Sequence, residues 1–318
     1  MSKILITGAT GFVGKKLVPA LIQLGHKVRC VVSKKVDWLN AEQVIMKRLE
    51  LETDWSQALI GVDVVIHLAA RVHIMKEKSK SALDEYYKIN TIATKNLAEQ
   101  AAKHQVKRFI FLSSIKVNGE LTLEGAPFSE ETKAAPEDPY GQSKLYAEQH
   151  LQEISQNSSM QVVIVRPPLI YGPGVKANFL KMLQLVRKGI PLPFASVQNK
   201  RHFIYIENLV SALCLVVTHP AAANQTYLVA DDNSFSMPHL MRLIAKEMNT
   251  RVWLIPFPVP FMRCIFQLLG MQNLNTRLFS SLEINSNKIK LQLGWNPPVS
   301  SVEGLKKTVA WYQSEFNS

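Results

Sequence analysis

Cysteine is scarce: three in 318 residues, at Cys30, Cys214 and Cys264, far apart and in no C-x-x-C pair. That spacing speaks against a disulfide framework and against a thiolate metal site, so no metal is expected. It predicts small buried apolar residues in a reducing compartment. Long apolar runs are also missing. The most apolar stretch, 252–270, is interrupted by Pro256, Pro258, Pro260 and Arg263. It predicts a core or cap helix after a proline-rich turn rather than a transmembrane segment, with a face for peripheral membrane contact as the alternative. No cationic segment followed by an apolar core opens the chain, which predicts a cytoplasmic protein without a leader. Acidic residues are the minority charge, 25 against 37 basic, for a formal charge of +12. The basic residues form small scattered groups, among them Lys34-Lys35, Lys107-Arg108 and Lys200-Arg201. None is a long run interleaved with aromatics, so the composition argues against a nucleic-acid groove and for an anionic substrate or surface. Internal repeats and low-complexity segments are absent.

What is present is a globular composition, 47% hydrophobic, long enough for one large α/β unit or a domain plus a cap. Apolar runs predict strands at Ile4–Thr7, Val28–Val32, near Val44–Met46, Val64–Leu68, Phe109–Ser113 and Val162–Arg166. Helical spacing fills the intervals near 12–24, 54–60, 81–104 and 139–155, with a kink expected at Pro19. Strand and helix in alternation predict an α/β fold, a doubly wound parallel sheet with right-handed crossovers. Beyond Pro167 turn signals multiply, as in Gly172-Pro173-Gly174 and Pro191-Leu192-Pro193. The expected division is therefore a nucleotide-binding domain over 1–170 and a smaller, partly discontinuous C-terminal substrate-binding domain over 171–318. Some segments of the second are expected to return to the sheet.

Three stretches carry chemistry. Thr7-Gly8-Ala9-Thr10-Gly11-Phe12-Val13-Gly14 joins a buried strand to a helix. Its glycines let backbone N–H groups approach a pyrophosphate at the positive end of the helix. Asp138-Pro139-Tyr140-Gly141-Gln142-Ser143-Lys144 opens another helix, with Asp138 at the N-cap and Pro139 at the first helical position. Tyr140, Lys144, Ala147, Leu151 and Ile154 then share one face. An ammonium in an apolar stripe needs partners. One turn from a phenol it favours the phenolate, and moving that pKa from about 10 towards 7 takes roughly 4 kcal/mol. Finally, the strand Phe109–Leu112 runs into Ser113-Ser114, placing hydroxyls at its carboxyl edge.

Together these parts resemble the extended short-chain dehydrogenase/reductases, in the epimerase/dehydratase branch that modifies nucleotide sugars, over essentially the whole chain. The resemblance implies a Rossmann fold that binds a nicotinamide dinucleotide. Gly8, Gly11, Phe12, Val13 and Gly14 match the cofactor loop. Leu68, Ala69 and Ala70, in His67-Leu68-Ala69-Ala70, match the adenosine-side motif, and Asn90 falls where the family keeps a structural asparagine. Ser114, Tyr140 and Lys144 match the catalytic trio, with Tyr140 and Lys144 also touching the cofactor. Arg166-Pro167 matches the pair beside the nicotinamide, Pro167 being the cofactor contact. Asn178 and Arg201 resemble the contacts to the sugar-nucleotide diphosphate, although a helix N-cap accounts for Asn178 equally well. Leu293-Gly294-Trp295-Asn296-Pro297 resembles the C-terminal turn. The helices 81–104 and 139–155 are those that pair across a homodimer in relatives.

The departures are informative. The acidic pair of the sugar dehydratases is replaced by Ile115 and Lys116, which excludes that acid–base chemistry and offers Lys116 as a contact to a substrate oxygen. After the second strand, where NAD-preferring relatives carry an aspartate, stand Ser33 and Lys34, a hydroxyl and an ammonium suited to a 2′-phosphate. NADP(H) is therefore favoured over NAD(H), with Asp37 as the reservation. The resemblance implies an enzyme acting at C4 of a UDP-sugar. The leading expectation is reduction of a UDP-4-keto-6-deoxy-N-acetylhexosamine for surface-polysaccharide synthesis. The alternative is an NAD-retaining 4-epimerase of UDP-glucose or UDP-N-acetylglucosamine. A non-catalytic cofactor-sensing module would not need Ser114, Tyr140 and Lys144 together.

Overall fold

Ile4, Leu5 and Ile6 have no solvent exposure, because the strand they form lies mid-sheet with both faces covered. The computed structural model describes residues 1–46, 51–71 and 84–316. Its strands are β1 (Lys3–Thr7), β2 (Lys27–Val32), β3 (Glu42–Ile45), β4 (Val64–His67), β5 (Arg108–Leu112) and β6 (Gln161–Arg166). Five more follow: β7 (Ile170–Tyr171), β8 (Pro191–Leu192), β9 (Ile204–Tyr205), β10 (Thr226–Leu228) and β11 (Trp253–Leu254). The main sheet runs β10-β6-β5-β4-β1-β2-β3, and every pairing in it is parallel. The doubly wound sheet is as the sequence predicts, with β10 as a segment of the C-terminal half returning to it. Pairs β7–β9 and β11–β8 stand apart as two small parallel sheets.

Successive residues of β1 feed opposite cores. Ile4 and Ile6 pack with Leu17 and Leu21 of α1 (Gly14–Gln23). Leu5 packs with Trp55 beside α2 (Ser56–Leu59), Leu97 of α3 (Ala93–Lys103) and Leu151 of α4 (Pro139–Gln156). Each such buried leucine is stabilising by about 1.5–3 kcal/mol relative to exposure. Helix α1 continues through Pro19. The remaining helices are α5 (Ala177–Arg187), α6 (Ile206–Thr218), α7 (Met237–Glu247), α8 (Val259–Leu268), α9 (Gln272–Phe279), α10 (Asn287–Leu293) and α11 (Ser301–Phe316). Leu209 and Leu213 of α6 and Leu305 of α11 join the α1 side of the core.

Two expectations need correction. The helix over 81–104 is not uniformly α: Tyr87–Ile92 form a π-helical segment leading into α3, and 81–83 lie outside the described residues. Within that segment Asn90 and Thr91 turn their side chains inward to grip elements distant in sequence, as set out below. The cysteines are not uniformly buried: Cys30 is buried, Cys214 half-buried and Cys264 exposed on α8. Arg108 is buried, and its Nη1 caps the end of α6 by donating to the carbonyls of Val216 (2.7 Å), Val217 (3.2 Å) and His219 (3.0 Å).

Candidate active site

The strand order turns back between β1 and β4, so their carboxyl ends, Thr7 and His67, flank the crevice where a dinucleotide binds in this architecture. The glycine loop sits there. Gly8 has φ +72°, and a Cβ on it would come within 2.8 Å of the Ala69 nitrogen. On Gly14 a Cβ would lie 2.4 Å from the Gly8 carbonyl oxygen. Only glycines let α1 begin this close to the β1 and β4 ends. Thr10 and Gly11 stay exposed at the tip, with Phe12 half-buried and Val13 buried. Beyond β4, Leu68, Ala69 and Ala70 are half-buried. Ser33 and Lys34 are exposed at the end of β2. This loop at a helix N-terminus over a switch point fits a nicotinamide dinucleotide.

A directed hydrogen-bond chain holds the floor together. The Ala69 nitrogen donates to Thr7 Oγ1 at 3.3 Å, and Thr7 Oγ1 meets His67 Nδ1 at 2.7 Å. His67 Nε2 meets Thr94 Oγ1 at 3.0 Å, while that hydroxyl donates to the Asn90 carbonyl at 2.8 Å. Because Thr94 spends its proton on Asn90, it accepts from Nε2, so His67 carries hydrogen on Nε2 and accepts from Thr7 at Nδ1. Burial, then the Lys144 charge, lowers the His67 pKa to about 3, consistent with this neutral form. Asn90, buried in the π-helical segment, accepts from the Arg71 nitrogen at 2.8 Å and donates to the Arg71 carbonyl and Ser143 Oγ at 3.1 Å each. Thr91 Oγ1 donates to the Ser143 carbonyl at 2.8 Å. The loop after β4 is thereby tied to the turn of α4 that lies between Tyr140 and Lys144.

Helix α4 starts as expected: Asp138 Oδ1 accepts from the Gly141 nitrogen at 2.7 Å, with Pro139 in the first turn. Gly141 allows close approach, since a Cβ there would lie 2.7 Å from the Lys116 carbonyl oxygen. Tyr140 is half-buried, edge-on to Tyr86 with ring centroids 6.3 Å apart. Lys144 is buried at 1% exposure; its Nζ donates to the Leu112 carbonyl at 2.9 Å and lies 4.3 Å from the Phe111 ring centre and 6.0 Å from that of Tyr140. Burial draws the Lys144 pKa down to about 7, opposed by the Glu148 carboxylate. Contrary to the sequence expectation, the Tyr140 hydroxyl is not moved towards the phenolate. Burial, then the Asp138 and Tyr86 charges, push its pKa above the ordinary phenol value. Ser114, half-buried at the end of β5, turns its Oγ to the Lys116 nitrogen at 3.3 Å.

Behind Lys144 lies a buried polar cluster of which the motifs single out only Arg166. Glu148 takes Arg166 Nε at 3.0 Å and Arg166 Nη2, as well as the Ser113 hydroxyl. Arg166 Nη1 donates to Asn118 Oδ1 at 3.0 Å. Arg166 is thus turned into the protein, and Pro167 beside it is buried with its carbonyl accepting from the Ile115 nitrogen at 2.9 Å. The signal for Glu148 was its i+4 spacing from Lys144.

The remaining candidates are Lys116, Arg201 and Asn178. Lys116 Nζ bridges Glu120 at 2.6 Å and Asp138, so it braces the α4 cap. Arg201 is half-buried and donates from Nη1 to the Ser280 carbonyl at 2.8 Å. Burial and the charge of Arg277 lower the Arg201 pKa to about 10, while Glu120 acts the other way. Arg277, half-buried on α9, was not singled out by the sequence; a lone arginine in an otherwise neutral segment gave no signal. Asn178 is the second residue of α5 and not its cap, which is Lys176. Among the described residues, no cluster of metal-ligating groups occurs.

The family model described as "NAD dependent epimerase/dehydratase family" matches residues 4–230. A curated UDP-glucose 4-epimerase of Vibrio cholerae is 43% identical over 307 residues, covering 96% of this chain and 94% of its own length. Among solved structures, UDP-glucuronic acid 4-epimerase from Bacillus cereus in complex with NAD shares the fold at a TM-score of 0.79 and 22% identity, over 99% of each chain. RMD from Pseudomonas aeruginosa complexed with NADPH does so at a TM-score of 0.74 and 21% identity, over 99% of this chain and 100% of that one.

Proposed function

The chain belongs to the NAD dependent epimerase/dehydratase family, among the nucleotide-sugar enzymes of the extended short-chain dehydrogenase/reductase type, and we propose that it reduces the C4 ketone of a UDP-4-keto-6-deoxy-N-acetylhexosamine. The observation that supports reduction is at the cofactor end: Val32 is followed directly by Ser33 and Lys34 rather than by a carboxylate, which suits a consumed NADPH over a retained NAD. Burial and Asp138 favour the protonated Tyr140 hydroxyl, the form that donates to a developing alkoxide. In this reading Gly8, Gly11, Phe12, Val13 and Gly14 hold the cofactor pyrophosphate, with Leu68, Ala69 and Ala70 on the adenosine side. Tyr140, Lys144 and Pro167 border its nicotinamide end. When bound, the nicotinamide supplies the hydride to C4.

The protein's own residues do the rest. Ser114 orients the C4 oxygen, Tyr140 donates the proton that completes the alcohol, and the Lys144 ammonium stabilises the phenolate left behind. Arg201 and Arg277 hold the diphosphate with charge-assisted hydrogen bonds, and Asn178 lies at the start of α5 to extend that contact. Lys116 positions Tyr140 through Asp138. Ser33 and Lys34, exposed at the end of β2 with no carboxylate after Val32, support NADPH as the reductant.

A second reading, an NAD-retaining C4 epimerase, is favoured by the relative that is 43% identical. Incubating the purified protein with the 4-keto sugar and NADPH or NADH, while following nicotinamide absorbance, separates the two. Stoichiometric consumption with a C4 alcohol as product is expected. Interconversion of UDP-glucose or UDP-N-acetylglucosamine with their C4 epimers without added reductant, and no consumption with the keto sugar, would overturn reduction.

A further inference from the structure

We infer that the outer face of α8 is a docking surface for an anionic lipid bilayer, on which the protein rests without crossing it. Helix α8 is apolar on both sides. Met262 is buried at 3% exposure and Phe266 packs against the core, whereas Phe261 is 66% exposed, Ile265 48% and Leu268 82%. Their spacing of four and three puts those last three on one side of the helix. Leu269, 66% exposed, continues the ridge past the helix end, and Trp253 at 59% precedes it. Large apolar side chains gathered on one short exposed stretch mark an interaction surface.

Charge selects the occupant. Between Glu247 and Glu283 the chain has no acidic residue, and its only charged side chains are Arg251, Arg263 and Arg277. Arg251 and Arg263 are exposed. Lys188, also exposed, joins them, because a Cβ on the adjacent Gly189 would lie 3.7 Å from the Arg251 carbonyl oxygen. The exposed charges of this segment are therefore all cationic, and Arg263 stands on α8 itself. A second copy docking face to face would bring arginine against arginine, on a chain of formal charge +12, whereas an anionic headgroup layer neutralises them. Length selects the mode. The helix has ten residues, about 15 Å at 1.5 Å per residue, half of a hydrocarbon core of about 30 Å. No helix among the described residues is long and apolar enough to span, so α8 lies in the interface plane with Phe261, Ile265 and Leu268 at the acyl boundary. The aromatic contact between Phe266 and Phe279, ring centroids 5.6 Å apart, joins α8 to α9, which carries Arg277. The surface thus lies one helix from the diphosphate contacts, and the inference holds whichever sugar the site takes.

The test is co-sedimentation of the full-length protein with extruded vesicles, phosphatidylglycerol-rich against pure phosphatidylcholine. Binding to the anionic vesicles, weakened by salt, is expected. The variant Phe261→Ser/Leu268→Ser/Leu269→Ser should lower the bound fraction at least about tenfold, with turnover and the unfolding midpoint unchanged. Lys188→Gln/Arg251→Gln, which leaves the apolar ridge and Arg263 intact, should weaken binding to anionic vesicles and reduce its salt dependence. Wild-type protein remaining in the supernatant with phosphatidylglycerol, or equal binding by both variants, overturns the inference. So does light scattering that shows a wild-type dimer lost in the triple serine variant, since the ridge then belongs to a second copy.

Discussion

Glu148 offers a stringent perturbation because its carboxylate serves both stability and the catalytic lysine. It is 1% exposed, takes two donors from Arg166, itself 7% exposed, and receives the Ser113 hydroxyl. Glu148→Met leaves the guanidinium buried with Asn118 Oδ1 at 3.0 Å as its remaining side-chain acceptor among the described residues. Removing one partner of a buried pair costs about 3–5 kcal/mol, and the orphaned Ser113 hydroxyl adds about 1 kcal/mol. The single variant should therefore lose about 4–6 kcal/mol, and Arg166→Met a similar amount. The double variant, with two apolar side chains in the same space, should cost less than either single. Urea unfolding of the four proteins closes the cycle. The catalytic readout uses Glu148→Gln. Its carboxylate is what opposes the burial that holds Lys144 at about 7. Without that charge Lys144 deprotonates at still lower pH, and the alkaline limb of kcat/KM should shift towards acid. Additive single costs, together with an unmoved alkaline limb, would refute the reasoning.

Tyr140→Phe removes only the hydroxyl, so turnover should fall about 10²–10⁴-fold while nicotinamide binding, read by fluorescence titration, persists; full turnover would exclude Tyr140 as the proton donor. Stability should decline in acid through His67. Its folded pKa of about 3 lies below the ordinary imidazole value of 6.5, so the unfolded chain binds the proton first. Stability is complete above 6.5 and falls between there and about 3, by at most about 1.4 kcal/mol per pH unit; urea midpoints of His67→Asn should show a shallower slope. Arg201→Met and Arg277→Met should each raise the KM for the UDP-sugar about 10–100-fold with kcat little changed, the loss of a charge-assisted hydrogen bond of about 1.5–3 kcal/mol. An unchanged KM for Arg277→Met would remove it from the site. Ser33→Asp should raise the KM for NADPH relative to NADH, measured by initial rates, and an unaltered ratio would place cofactor choice elsewhere.

The features legible in the sequence are those whose cause is local. The loop Thr7–Gly14 declares itself because strand, glycines and helix are contiguous, and Gly14 is required by a backbone approach within that same unit, whereas the approach that requires Gly8 comes from Leu68 and Ala69 after β4. The α4 face of Tyr140, Lys144, Ala147 and Leu151 follows from helical period alone. What was illegible depends on partners far along the chain. Tyr140 was read against Lys144 only; its burial, set where α4 meets the Lys116 loop, reverses the shift, and the charge of Asp138 two residues before it adds to that. The π-helical turn at Tyr87–Ile92 follows from Asn90 gripping Arg71 and Ser143, contacts separated by 19 and 53 residues. Lys144 shows how the two kinds of information join. Its place in an apolar stripe announced that it needed partners. Those partners are the Leu112 carbonyl, freed because β5 ends there, the Phe111 ring, and a carboxylate one turn on whose own charge is balanced by Arg166 from β6. Two adjacent parallel strands must end level with each other for that set to assemble. The alternation of elements along the chain implies such a parallel sheet, but only the register of β5 against β6 brings Leu112 and Arg166 to the same lysine-bearing helix.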